Sequence, residues 1–232
     1  MFLHHPLTAD QLAAIRRYDT CTIANAIEHF GVRLRNEGFT RPGLQCVTGG
    51  SPRILGYAVT SKIRVAEPPM VGRLYQDRSD WWAAIERLPV PRIAVIQDMD
   101  PHSGLGSAFG EIHAAILKAF QCEGAITNGA VRDVDKIAKL PFPAFAGAIS
   151  LSHAYNHMVG YGSPVEIFGL HVEYGSLLYA DIHGVISIPA EIAPELPRVA
   201  AEIRAKERRI VDICQSPDFT PERLREVIKS AS

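Results

Sequence analysis

Three charged side chains in the middle of the chain have the types and spacing of a site for a small anion. Glu111 follows Gly110 at a predicted helix start, and Arg132 and Asp133 come after a further 20 residues, just past a buried apolar segment. An aspartate oxygen is a hard ligand that suits Mg²⁺ or Mn²⁺, and the planar fork of an arginine matches a carboxylate. Together they predict a site that recognises a small oxo-acid and stabilises the negative charge that develops when it reacts.

Each of these residues also has a simpler structural interpretation. Asp133 could cap the helix predicted from 133 to 139, with Arg132 in a surface ion pair. Glu111 could complement the dipole of its own helix. Because the two motifs lie on consecutive strand-to-helix connections, however, they can meet at one crevice. That placement favours a shared site, in which Gly110 lets an anion approach the amides of the helix start and Glu111 acts as a base or orients a water.

Apolar periodicity and turn signals predict the elements that position these residues. Helices are expected at 8–30, 81–85, 108–122, 133–139 and 190–213 and from 220. Strands are expected at 54–65, 92–97, 124–127, 143–147, 165–172 and 177–188, the last of them broken at His183-Gly184. This order predicts a single α/β domain over residues 1–232, with a central sheet covered by helices and C-terminal helices at about 190–230.

Other polar motifs are weaker candidates. The run from Gly104 to Gly110 resembles a dinucleotide-binding loop, but it begins too far from the strand that ends near Asp98, and the next strand ends in Asn128 rather than in an acid. The remaining candidate metal ligands are interpreted as a polar loop (Asp98, Asp100, His102) and as a surface turn or helix (His153, His157).

Composition narrows the function further. The net charge of −1 gives no basic surface for nucleic acid, and no apolar run reaches the length of about 18 residues that spans a bilayer. The N-terminus has no signal-peptide pattern, and the four cysteines are far apart, which fits a reducing cytoplasm. We therefore expect a cytoplasmic protein whose ligand is a small molecule.

The central motif and its flanking strands resemble the RraA-like family. The resemblance covers roughly residues 10–229, and the motifs that carry it are Gly110-Glu111, GAITNGAVRDVD at 124–135, FPAFA at 142–146, GSLLYADIHGVISIP at 175–189, and weaker likenesses at 22–27 and 54–60. This family includes the 4-hydroxy-4-methyl-2-oxoglutarate and 4-carboxy-4-hydroxy-2-oxoadipate aldolases and the regulators of ribonuclease E activity. The resemblance implies an α-β-β-α sandwich with a central mixed sheet, of the swivelling β/β/α type.

The resemblance also implies a role for each site residue. In the family's aldolases an acid, twenty intervening residues and an Arg-Asp pair build the site. Carried over to this chain, Asp133 would hold Mg²⁺ or Mn²⁺, and Arg132 would bind the carboxylate and keto oxygen of the substrate. The backbone amides of Ile112 and His113 would contact the same carboxylate, and Glu111 would lie near the metal-bound water.

The implied activity is a divalent-metal-dependent, class II retro-aldol cleavage of a 4-hydroxy-2-oxo acid that releases pyruvate, with oxaloacetate decarboxylation as a side activity. The implied assembly is a homotrimer or a pair of trimers with active sites between subunits. Glu207 is the best-spaced acid of the C-terminal region to reach a neighbouring subunit's site, and Glu202 is the alternative.

The alternative function is a non-catalytic regulator that binds and inhibits ribonuclease E. The aldolases have an acid at position 111 and the regulators have glycine, so Glu111 favours the enzyme. This chain departs from the family's usual pattern at Asn25, at Tyr174-Gly175-Ser176 and in a longer loop at 98–109. These departures leave the distal half of the substrate pocket, and hence the substrate, open.

Overall fold

The computed structural model describes residues 6–70 and 78–231. The helices in this part of the chain are α1 (Ala9–Ile15), α2 (Thr20–Phe30), α3 (Ser79–Glu86), α4 (Glu111–Ala119), α5 (Val134–Lys139), α6 (Leu196–Gln215) and α7 (Pro221–Ala231). The strands are β1 (Gln45–Cys46), β2 (Ile54–Arg64), β3 (Arg92–Asp98), β4 (Ser107–Phe109), β5 (Cys122–Thr127), β6 (Ala130–Val131), β7 (Ala144–Ala146), β8 (Ala148–Ile149), β9 (His157–Tyr161), β10 (Val165–Ile167), β11 (Leu170–Val172), β12 (Leu177–Asp181) and β13 (Gly184–Ile188). Of the helices described, none has the length and apolar character needed to cross a membrane.

The main sheet is mixed, which confirms the predicted α/β class. Its strand order is β1-β7-β5-β3-β2-β12-β13, with β9 also paired to β2. The neighbours β2, β3, β5 and β7 run parallel, and the outer pairs are antiparallel. Side chains alternate between the two faces: Val59 packs into the core beneath the helices, and Ala58 into a smaller core beneath the β10–β11 hairpin.

The prediction of one helix over 8–30 is wrong, because the chain breaks between α1 and α2. Asp19 has an extended conformation and accepts a hydrogen bond from the Thr22 amide at 2.7 Å, which starts a new helix. The hydroxyl of Tyr179 donates to the Tyr18 carbonyl at 2.7 Å and ties this corner to the sheet. The apolar period runs through the break, so it gave no sign of the second cap.

The helix predicted over 108–122 also begins later than expected. Residues Ser107–Phe109 form β4, which pairs in parallel with β6, and β6 pairs in turn with β8. These strands are two or three residues long, too short to show an alternating pattern in the sequence. The expectation of a surface position for His157 is wrong as well, since this residue is buried at the start of β9.

A buried carboxylate joins α2 to the end of the sheet. Asp181, the last residue of β12, accepts hydrogen bonds from the Thr20 amide at 2.9 Å, the Thr20 hydroxyl at 2.7 Å and the His183 amide at 2.9 Å. Burial alone would raise the pKa of Asp181, but the hydrogen bonds outweigh it, and the pKa lies below its ordinary value. The Asp181 carboxylate therefore stabilises the folded state at pH values above its unfolded-state pKa of about 3.9. This stabilisation is lost as the pH falls through its folded-state pKa.

We expect Asp181→Asn to lower the free energy of unfolding at pH 7 by roughly 1–3 kcal/mol. The NH₂ group of asparagine cannot accept a hydrogen bond, so at least one of the N–H and O–H donors that face the carboxylate would lose its partner. The difference from the wild type should shrink near pH 3, where the wild-type carboxylate gains protons. Urea unfolding at both pH values measures this. Asp10→Asn, on the exposed first turn of α1, is the control and should change stability by less than about 0.5 kcal/mol. Equal stability of Asp181→Asn and wild type at pH 7 would contradict the assignment.

Candidate active site

The small three-stranded sheet brings the two predicted motifs together. In the β4–β6 pair, Ser107 lies opposite Ala130 and Phe109 opposite Val131. The Arg132 amide continues this pairing by donating to the Phe109 carbonyl at 3.2 Å. Because both strands end at the same edge, the residues that follow them emerge side by side, and Gly110-Glu111 lies next to Arg132-Asp133.

A lysine that the sequence analysis did not single out connects the acids. The Nζ atom of Lys136, on α5, lies 3.6 Å from Asp133 Oδ1 and 3.6 Å from Glu111 Oε2. Arg132 Nε lies 3.5 Å from Asp133 Oδ2. All four side chains are partly exposed, so each ion pair contributes little to folding stability. The cluster is better suited to exchange these contacts for those of a ligand.

Asp133 occupies the N-cap position of α5, but its side chain does not cap the helix, as its alternative interpretation required. Its backbone is left-handed, with φ 56° and ψ 33°, and its side chain makes no capping hydrogen bond to α5. Its carbonyl, rather than its carboxylate, accepts the amides of Lys136 at 3.0 Å and Ile137 at 2.9 Å. Aspartate is among the few residues that tolerate this conformation, and strained backbone of this kind is concentrated at functional sites.

Gly110 lies so close to the Arg132-Asp133 pair that any side chain at this position would collide with it. A Cβ atom built there would lie 2.6 Å from Asp133 Oδ2 and 3.1 Å from Arg132 Cγ. Gly110 is also the N-cap of α4 and offers no side chain to its first turn. The first-turn amides, including those of Ile112 and His113, have no partners within their helix and can receive an anion.

The motifs line a cavity of about 520 Å³, a size typical of small-molecule sites. Its walls come from β4, the start of α4, the β6–α5 connection, the start of α3 and the segment before β9, and the lining residues are Arg78, Ser107, Ala108, Phe109, Gly110, Glu111, Ile112, His113, Arg132, Asp133, Lys136, His153 and Asn156.

Sequence reasoning missed Arg78 and Asn156. The Nη2 atom of Arg78 donates to Asn156 Oδ1 at 3.1 Å. The side-chain amide of Asn156 donates to the carbonyls of Ser107 at 2.6 Å and Ala108 at 2.8 Å, so β4 fixes its orientation. Burial lowers the pKa of Arg78, although a guanidinium remains charged in proteins. Neither residue lies in a recognisable motif, because long-range contacts alone bring them to this cavity.

The side chain of His113 is neutral at physiological pH. Burial, followed by charge repulsion from Arg78 and Arg132, lowers its pKa to about 4. The uncharged imidazole therefore offers the cavity one hydrogen-bond donor and one acceptor, near the positive charges of Arg78 and Arg132. The sequence analysis had considered only the backbone amide of this residue.

The acids proposed from the C-terminal helices do not line this cavity. Glu207 pairs with Arg204 at 3.0 Å and Glu202 with Arg198 at 2.8 Å, both along the exposed side of α6. The expectation that one of them reaches a neighbouring subunit concerns a second copy of the chain and stays a prediction.

The acidic loop after β3 has a structural role. Asp98 accepts the amides of Gly104 at 2.8 Å and Asp100 at 3.1 Å, and Asp100 accepts those of Val65 and Ala66 at 2.7 Å each. Backbone amides therefore satisfy both carboxylates and hold the glycine-containing loop against the sheet, in line with the interpretation as an ordinary polar loop.

The oxygen donors at the cavity fit a hard divalent cation that keeps most of its waters. No group of three His, Cys, Asp or Glu side chains within residues 6–70 and 78–231 is arranged to hold a metal ion. Asp133 and Glu111 nevertheless offer the one or two carboxylates that Mg²⁺ usually takes from a protein, and Gly110 keeps open the space beside Asp133 Oδ2. Mg²⁺ or Mn²⁺ suits such donors better than a softer metal.

The fold and the cavity define a mixed α/β protein with a pocket that is lined by charged side chains of both signs and lies at the edge of a small parallel sheet. Residues 20–187 match the model of the RraA-like family, described as Aldolase/RraA. The chain therefore belongs to the RraA-like family, which includes both aldolases and ribonuclease E inhibitors.

Two known proteins are similar to the chain in sequence. An uncharacterized protein of Methanocaldococcus jannaschii is 25% identical over 191 residues, which cover 80% of this chain and 86% of that protein. Protein DlpA of Legionella pneumophila is 32% identical over 89 residues, but these cover 38% of this chain and 14% of DlpA. The similarity to DlpA is therefore confined to a small part of that longer protein.

Solved structures share the fold. An uncharacterized protein from Pseudomonas syringae pv. tomato has a TM-score of 0.74 at 20% identity, covering 99% of this chain and 98% of that one. Streptomyces coelicolor RraAS2, described as an unusual member of the RNase ES inhibitor RraA protein family, has a TM-score of 0.70 at 18% identity, covering 88% and 97%. At these identities the likeness concerns the fold alone.

We expect His113 to make stability depend on pH. Unfolded histidine titrates near pH 6.5 and folded His113 near 4, so between these values the unfolded state binds more protons. The free energy of unfolding should therefore fall by roughly 2–3 kcal/mol from this residue as the pH drops through that window. Chemical denaturation between pH 4.5 and 7.5 measures the free energy of unfolding, and in His113→Gln this contribution to its pH dependence should disappear. Ile112→Gln, one residue earlier, is the non-titrating control, and an unchanged slope in His113→Gln would refute the assignment.

Proposed function

We propose that this protein is a Mg²⁺- or Mn²⁺-dependent aldolase that cleaves a 4-hydroxy-2-oxo acid of the 4-hydroxy-4-methyl-2-oxoglutarate type and releases pyruvate. The observation that carries the proposal is the convergence of Glu111, Arg132 and Asp133 beside Gly110, at the ends of the paired strands β4 and β6. Such a cleavage needs a base, a guanidinium and a hard oxygen ligand in one cavity.

Substrate binding follows from the charges at the start of α4. Arg132 binds the substrate carboxylate, and the first-turn amides of Ile112 and His113 receive its second oxygen. Asp133 would hold the divalent cation, which when bound supplies Lewis-acid stabilisation of negative charge on the 2-oxo oxygen. Lys136 keeps the Asp133 and Glu111 carboxylates directed toward the same space.

The bond cleavage requires one base and one site of negative-charge stabilisation. Glu111 accepts the proton of the C4 hydroxyl, directly or through one water, and the C3–C4 bond breaks as the C4 carbonyl forms. The electron pair of that bond becomes the enolate of pyruvate, whose charge Arg132 stabilises by several kcal/mol. Return of a proton to C3 gives pyruvate. Oxaloacetate reaches the same enolate by losing carbon dioxide, which makes it a convenient test substrate.

We expect Asp133→Ala to reduce pyruvate release from oxaloacetate or 4-hydroxy-4-methyl-2-oxoglutarate by at least about 100-fold, because the site then lacks its hard ligand. Pyruvate is measured with lactate dehydrogenase in the presence of Mg²⁺, and EDTA should abolish the wild-type activity. Asp135→Ala, which removes the exposed aspartate two residues later, is the matched control and should keep most of the activity.

Two results would contradict the proposal. Activity that survives both EDTA and Asp133→Ala would exclude the metal role of Asp133. No pyruvate from any 4-hydroxy-2-oxo acid with any divalent metal, together with capture of ribonuclease E by the purified protein, would favour the non-catalytic regulator.

We further propose that the protein assembles as a trimer or a pair of trimers, with Glu207 or Glu202 completing a neighbour's site. Exposed apolar side chains support this assembly. Ile149, on the edge strand β8, is 61% exposed and Leu151 is 96% exposed, while Ile112 at the cavity rim is 72% exposed. Apolar surface of this kind marks contacts with another protein.

Leu151→Asp is expected to dissociate the assembly, because it places a charge in the proposed apolar contact. Light scattering coupled to gel filtration measures the mass, which should fall toward that of one 25.4 kDa chain. Met70→Asp, a charge at another exposed apolar residue, is the control. A wild-type protein that is already monomeric would refute the proposed assembly.

A further inference from the structure

The side chain of Lys136 forms ion pairs with two acids of the cavity at once. Its Nζ atom lies 3.6 Å from Asp133 Oδ1 and 3.6 Å from Glu111 Oε2. The contact with Asp133 joins residues three apart in the chain and is of a kind that occurs on ordinary helix surfaces. Glu111, however, belongs to a different helix, α4. The ammonium group of Lys136 therefore bridges the two connections that build the site.

This ammonium group supplies the positive charge that the two acids face. Asp133 Oδ2 lies 3.5 Å from Arg132 Nε, and Lys136 lies beside the other Asp133 oxygen and beside Glu111. Two carboxylates and two cations thus balance one another within the cluster. A divalent cation that approaches Asp133 meets the positive charge of Lys136, and like charges a few Å apart repel each other. Lys136 and a divalent cation are consequently alternative partners for the same carboxylates.

The side chain of Lys136 can leave this position at little cost. It is half exposed to solvent, and exposed ion pairs contribute little to stability. The separation of 3.6 Å is longer than a direct hydrogen bond, and the flexible four-carbon stem can carry the ammonium group into water. The backbone amide of Lys136 donates to the Asp133 carbonyl at 3.0 Å, so the start of α5 stays in place when the side chain turns away.

We propose that Lys136 is an internal competitor of the divalent cation. It holds Asp133 and Glu111 together while no cation is bound, and it turns away from them when a cation binds. The inference rests on the proposed function for the assignment of the cation to Asp133. Lys136 is then a positioning residue that lowers the affinity of the site for Mg²⁺ or Mn²⁺. A lysine that instead strengthens the site by aligning its acids predicts the opposite change when it is removed.

Titration with Mn²⁺ alone tests this competition without substrate or turnover. Electron paramagnetic resonance at room temperature measures the free Mn²⁺ that remains at each protein concentration. We expect Lys136→Met to bind Mn²⁺ about 10-fold more tightly than the wild type, because a positive charge near the divalent cation is removed. Lys136→Gln is a second neutral variant and should change the affinity in the same direction. Unchanged or weaker binding in both variants would overturn the proposal.

Two further variants show whether the change arises at the site. Lys139→Met removes an exposed lysine farther along α5 and controls for the long-range effect of charge. At an ionic strength of about 0.15 M it should change the Mn²⁺ affinity by less than about 2-fold. Lys136→Met combined with Asp133→Ala should bind Mn²⁺ more weakly than the wild type. Tight binding in this double variant would contradict the proposal, since the gained affinity would lie elsewhere.

Pyruvate release separates this inference from the proposed function. Tighter Mn²⁺ binding in Lys136→Met, with no pyruvate released by the wild type from any 4-hydroxy-2-oxo acid, would overturn the aldolase and leave the role of Lys136 standing. Pyruvate release that needs Mn²⁺ and Asp133, with a Mn²⁺ affinity that removal of Lys136 leaves unchanged, would overturn the role of Lys136 and leave the aldolase standing. Failure of the wild type and Lys136→Met alike to bind Mn²⁺ would overturn both.

Discussion

The candidate site depends on the short parallel pairing of β4 with β6. Ser107 opposite Ala130 and Phe109 opposite Val131 fix the register, so that Gly110 and Asp133 emerge at the same edge. A Cβ atom on Gly110 would meet the Asp133 carboxylate at 2.6 Å, which shows how closely the two connections approach. A shift of one residue in either strand would turn its side chains to the opposite face and separate the acid from the Arg-Asp pair.

Five carboxylates at or near the ends of strands fall into two physical groups. Asp98, Asp100 and Asp181 are buried and accept hydrogen bonds from backbone amides, so their interactions are completed by the fold itself. Glu111 and Asp133 are partly exposed and lie beside side-chain cations at 3.5–3.6 Å. Exposed pairs contribute little to stability, and a ligand can replace them at low cost. The second group is therefore the one suited to binding and chemistry.

The sequence predicted those parts of the site that are formed by residues close together in the chain. Glycine before the α4 acid and the Arg-Asp pair after β5 were recognisable from residue type and spacing, and the long strands β2 and β3 from their apolar runs. The strands β4, β6 and β8 could not be recognised in the sequence. A strand of two or three residues is too short to show an alternating pattern, and it is stabilised by partners that are distant in the chain. Arg78 and Asn156 were missed for the same reason. The break at Asp19 was hidden by an apolar period that continues across both helices.

Strand β4 also connects the two ends of the cavity. Its C-terminal end leads into Gly110 and the start of α4, where the carboxylate of a 2-oxo acid would bind, and its carbonyls at Ser107 and Ala108 hold Asn156, which holds Arg78. The position of one short strand therefore affects both sides of the cavity. A displacement of β4 would therefore move the start of α4 and the Asn156 anchor of Arg78 together, and the shape of the cavity depends on the pairing of β4 with β6.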